Sequence, residues 1–168
     1  LPRAGNTLLG SLLNQNPKIA VTANSPCADM LGELYMLKHT DIFKNFPDHK
    51  SFDNVTKSLI QTYYKDWPAD YIIDRAPWGY PINLKFLKRV QEDIRIIVLV
   101  RDVEEILASF IKWSEKEPTS FVNQYEAKTI EEKCDMLMNQ KGQIVKELIG
   151  IKHLLDHQPK EMYHIVEY

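Results

Sequence analysis

Apolar residues along this chain fall into two alternating periods. Leu8, Leu9, Leu12 and Leu13 repeat at helical spacing and predict a first helix over about 7–14. Asn16-Pro17 ends it, because the residue before a proline is driven out of the helical region. The run 18–22 reads as a short strand, and Ser25-Pro26 offers an N-cap and a first-turn proline for a helix over about 28–38. Residues 41–51 are polar, contain Pro47 and read as a connector. Val55, Leu59, Ile60 and Tyr63 then mark a helix over about 52–64. A buried strand is predicted at 70–74, followed by a helix from Pro81 to about Val90. The most β-rich run, 94–100, is the best candidate for a central parallel strand. Asp102 caps the helix after it, which carries Ile106, Leu107, Phe110 and Trp113. One long helix is indicated over about 130–157, with a kink or break near Gly142, and a last strand over 162–168.

Strands alternating with helices predict an α/β protein with a mainly parallel sheet flanked by helices, and a length of 168 residues suits a single domain over 1–168. The formal net charge of −2, with 44% hydrophobic and 26% charged residues, is that of an ordinary globular chain. It gives no general attraction to nucleic acid or to anionic membranes, so any anion site has to be local. Cys27 and Cys134 lie far apart without metal-ligand spacing, and the five histidines are scattered, so neither a disulfide framework nor a metal is expected. No apolar run approaches the roughly 20 residues of a membrane span. Together these features lead to the expectation of a cytoplasmic protein.

The chemistry concentrates at the start of the sequence. In Leu1-Pro2-Arg3-Ala4-Gly5-Asn6-Thr7-Leu8-Leu9, a glycine and a small polar pair lead into a helix, whose first N–H groups and dipole favour an anion. Set against the G-x-x-x-x-G-K-[ST] pattern, Gly5 and Thr7 fit the last glycine and the hydroxyl, but Asn6 stands where the lysine belongs. Arg3 offers a different cation from inside the loop. ATP hydrolysis is disfavoured and another anion-transfer chemistry favoured. A loop of this kind normally follows a buried central strand, which this sequence lacks, so a first strand is expected to be missing and both ends look cut. Exposed sheet edges would then permit a homo-oligomer. A second anion element follows the strand at 94–100. Arg101 lies one residue past it and Ser109 about two helical turns beyond Asp102, so guanidinium and hydroxyl can converge on one phosphate. An ion pair of Arg101 with Glu104 or Glu105 is the plainer alternative.

The loop resembles the 5′-phosphosulfate loop of the PAPS-dependent sulfotransferases, Pro-[Arg/Lys]-Ser-Gly-[Thr/Asn/Ser]-Thr-Leu. Pro2, Arg3, Gly5, Thr7 and Leu8 match, and Ala4 lacks the serine hydroxyl. The Arg-x7-Ser spacing of Arg101 and Ser109 resembles the family's 3′-phosphate element, and Val166-Glu167-Tyr168 resembles the start of its Tyr-Glu-Asp segment. The resemblance implies a P-loop-like three-layer α/β sandwich and metal-free transfer of a sulfuryl group from PAPS to a hydroxyl or amine by in-line displacement. It further implies that Arg3, Ala4, Gly5, Asn6, Thr7, Leu8, Arg101, Ser109 and Tyr168 hold the donor, with Arg3 also catalytic. Asp74, or less readily Asp29, is the candidate base, each with a capping or solvated-face alternative, and Arg75 is a candidate for binding the sulfuryl group or an acidic acceptor. Neither nucleic acid nor a membrane is an expected partner; the acceptor is a small molecule, glycan or peptide that the sequence does not name. A nucleotide or small-molecule kinase and a non-catalytic nucleotide-binding module are the rivals.

Overall fold

Side-chain caps from Thr40, Asp48, Asp102 and Thr129 start four of the helices. The computed structural model describes residues 1–124 and 126–168. It divides into two compact units, one formed by residues 1–6 and 95–168, the other by residues 7–94.

In the second unit, strands β1 (Ile19–Val21) and β2 (Tyr71–Ile73) pair in parallel, with Ala20 opposite Ile72. Helices α2 (Cys27–Leu37), α4 (His49–Tyr63) and α5 (Pro81–Val90) supply its core, in which Cys27, Leu31, Tyr64, Trp78, Phe86 and Leu87 are buried together. Helix α1 (Asn6–Leu13) follows the loop as predicted. The stretch 41–51, read as a connector, instead holds the short helix α3 (Asp41–Asn45) and the start of α4. Thr40 Oγ1 accepts from the Phe43 amide and Asp48 Oδ1 from the Ser51 amide, so two local caps fold a segment whose polarity had concealed them.

In the first unit, β3 (Ile96–Val100) and β4 (Tyr163–Glu167) pair in parallel, with Val98 opposite Ile165. Helix α6 (Val103–Lys116) starts on Asp102, whose carboxylate accepts from the Glu104 and Glu105 amides as expected. The predicted long helix is two: α7 (Ile130–Met138), started by a full Thr129–Glu132 capping box, and α8 (Gln143–His157), with Gly142 as its N-cap. Ile106, Phe110, Val122, Leu137, Ile144 and Leu154 are buried in this unit. Among the described residues the strands thus form two parallel pairs flanked by helices, the α/β class that the alternation predicts. The run expected at a sheet centre, β3, pairs on one edge with β4, and Ile97 stays 41% exposed.

Candidate anion-binding site

The site is built where β3 and β4 end. Val100 O accepts from the Tyr168 amide, which faces Val100 toward β4. Leu99, one residue earlier, aims its carbonyl at the opposite edge and accepts from the Leu1 nitrogen at 3.1 Å. The loop is therefore held beside the C-terminal end of β3. Asn6 Nδ2 closes it by donating to Leu1 O at 2.7 Å.

Inside the loop, Arg3 has φ 60° and Gly5 φ 91°. A left-handed arginine costs roughly 1–2 kcal/mol, so the loop conformation is held by its surroundings rather than by local preference. At Gly5 a side chain is excluded: a Cβ would overlap the ring of Tyr168. The methyl group of Ala4 is completely buried and offers a ligand no polar group.

Arg3 and Ser109, far apart in sequence, meet: Arg3 Nε donates to Ser109 Oγ at 3.1 Å. Arg101 joins them, its Nη1 donating to Arg3 O at 3.2 Å and its guanidinium lying 4.5 Å from the Tyr168 ring centroid. The ion pair foreseen as the plainer alternative also forms, Arg101 Nε to Glu105 Oε2 at 2.7 Å. A ligand phosphate on Arg101 must share it with, or take it from, Glu105. These groups line an open cavity of about 500 Å³, together with Lys112, Trp113 and Lys116. Four cationic side chains face one carboxylate there, in a chain of net charge −2. Arg3 also lies 5.7 Å from the Trp113 ring centroid. The sequence reading missed Lys112, Trp113 and Lys116, although the offsets of three, four and seven residues from Ser109 put them on its helix face.

Thr7 and Leu8 are exposed on the first turn of α1; their side chains make none of the loop's hydrogen bonds. Asp74 and Arg75 lie in the second unit, just past β2. Asp74 does not cap a helix: its Oδ2 accepts from Ser25 Oγ at 3.0 Å, while its buried Oδ1 has no hydrogen-bond partner among the described residues. Ser25 Oγ also accepts from the Cys27 amide at 3.0 Å, but the N-cap of α2 is Pro26, one residue later than the sequence predicts. The Arg75 amide donates to Thr22 Oγ1 at 2.7 Å, and its guanidinium lies beside Gly10. Asp29 is exposed on the first turn of α2. Burial pushes the Cys27 thiol and the Tyr64 hydroxyl well above their ordinary values, and the neighbouring Asp74 charge adds to both shifts. Among the described residues no group of His, Cys, Asp or Glu is placed to hold a metal, and no helix is long and apolar enough to cross a membrane.

No curated protein and no solved structure gives a match. A family model described as the sulfotransferase family matches residues 1–156. That match extends from the loop carrying Arg3 into α8, and this chain belongs to the sulfotransferase family.

Proposed function

We propose that this chain uses PAPS as the donor and transfers its sulfuryl group to a hydroxyl or amine by in-line displacement. The observation that carries the reading is the 3.1 Å contact of Arg3 with Ser109, which joins the loop and the Arg-x7-Ser element in one cationic cavity. PAPS supplies an activated sulfuryl group and two phosphates to recognise. The loop around Gly5 takes the 5′-phosphate on its backbone N–H groups and the Thr7 hydroxyl. Arg3 neutralises the negative charge that grows on this phosphate as the sulfur–oxygen bond breaks. Arg101 and Ser109 hold the 3′-phosphate, with Tyr168 supporting the Arg101 guanidinium. Asp74, held by Ser25 through Oδ2, is the base that takes the proton of the attacking hydroxyl or amine. Arg75 binds the sulfuryl group or an acidic acceptor. The reading calls on no metal, and it places the chain in the cytoplasm, where Cys27 and Cys134 stay reduced.

Calorimetric titration tests the nucleotide side. Adenosine 3′,5′-bisphosphate should bind about ten- to a hundredfold more tightly than 5′-AMP, the range expected for one charge-assisted contact. Arg101→Ala should remove most of that preference and Ser109→Ala part of it, with AMP affinity little changed. Equal binding of the two nucleotides overturns the reading, and tightest binding of ATP–Mg selects a kinase instead.

A further inference from the structure

The nucleotide reading accounts for Arg3, Arg101 and Ser109 but leaves the rest of the cavity wall unused. Lys112 and Lys116 stand on it one and two turns of α6 beyond Ser109, or about 4.5 and 10 Å along the helix axis. Lys38 and Lys152 each meet an aspartate at 2.8 Å, whereas neither Lys112 nor Lys116 forms an ion pair among the described residues. Glu105, the one carboxylate of the cavity, is engaged by Arg101. Two lysines at i and i+4 repel one another along a helix, so the pair is no stabilising feature of α6. Both are exposed, and the positive charge that they add faces the same cavity.

We infer that Lys112 and Lys116 form a second anion subsite that receives an acidic group of the acceptor, a carboxylate or a sulfate. The acceptor is then itself an anion, held by charge while its hydroxyl or amine is sulfated. This rests on the nucleotide reading above, because Arg3, Arg101 and Ser109 must belong to the donor for the two lysines to be left to the acceptor. Two separated lysines also suit an acidic group better than one planar guanidinium would: each ammonium is a compact point charge that needs no bidentate geometry.

Inorganic pyrophosphate probes the subsite without presupposing an acceptor scaffold. With the protein saturated in adenosine 3′,5′-bisphosphate, one further equivalent of pyrophosphate should bind to the wild-type chain. In Lys112→Gln/Lys116→Gln that second equivalent should weaken at least tenfold, with bisphosphate affinity within about threefold of wild type. Absence of a second equivalent in the wild type, or its survival in the double variant, overturns the subsite. A parallel loss of bisphosphate affinity gives the lysines to the nucleotide and overturns it as well. Should the wild type fail to prefer the bisphosphate over AMP, the donor reading falls instead. Pyrophosphate titrated without nucleotide then still shows whether the lysines bind an anion.

Discussion

Arg3 carries three burdens at once: a left-handed backbone, a side chain bonded to Ser109, and a carbonyl that receives Arg101. Its carbonyl role survives truncation, so Arg3→Ala tests the guanidinium. If that group acts, as proposed, on charge that develops during transfer, kcat should fall by roughly 10²-fold or more. The affinity for adenosine 3′,5′-bisphosphate should change far less. Single-turnover kinetics beside direct binding separates the two, and a variant that only loses affinity would reduce Arg3 to a binding residue. The proximity of Arg3 and Ser109 in the first unit was anticipated because the residue types are restricted by chemistry: a glycine and an arginine in the loop, and an Arg-x7-Ser spacing after a strand. The fixed partners of Asp74 were not legible, since Ser25 is 49 residues away and was visible only as a helix cap.

At the scale of elements, local signals decided boundaries where a cap lay within three or four residues. The Thr129–Glu132 box and the Asp102 cap are such cases. The break at Gly142 is different in kind. The glycine has φ −68°, which any residue adopts, but an added Cβ would strike the Leu137 and Met136 carbonyls. The turn between α7 and α8 therefore closes tightly against the end of α7, and only the absence of a side chain permits it. Gly142→Ala should destabilise the fold by about 1–3 kcal/mol, the usual cost of forcing an extra methyl into filled space. Chemical denaturation measures it, with Gly32→Ala as control, because nothing lies within 4 Å of a Cβ there. If Gly142→Ala leaves the denaturation midpoint unmoved, or raises it as the gain in helix propensity alone would, the tight turn is not what ends α7.

For the whole molecule, the buried Cys27–Tyr64 pair links the core to pH. Burial raises both acids in the folded chain, so the fold keeps protons that the unfolded chain releases. Stability from this source is complete below the ordinary thiol value. It declines as pH rises through about 8.5, and further near about 10 where tyrosine ionises in the unfolded chain. The melting temperature should fall between pH 8 and pH 10 on this account, and the first part of the fall should vanish in Cys27→Ala. Superimposable profiles for the two proteins would place the thiol outside the core.

The sequence by itself determined what short-range physics controls. The order of strands and helices, the parallel α/β class, the loop before α1 and the choice of Arg3, Gly5, Arg101 and Ser109 as candidate anion ligands depend on periodicity, caps and side-chain chemistry within a few residues. Tertiary structure alone decided which distant groups share a space. The sequence left a kink and a break near Gly142 as alternatives, and the packing of Leu137 and Ile144 around a closed turn decided for the break. Pairing of β3 with β4 carried Tyr168 against Gly5 and under Arg101. The same packing set Lys112 and Lys116 on the wall that Arg3 and Ser109 share. A solvated lysine and a cavity lysine look alike in sequence; the difference lies in what the rest of the chain places opposite them.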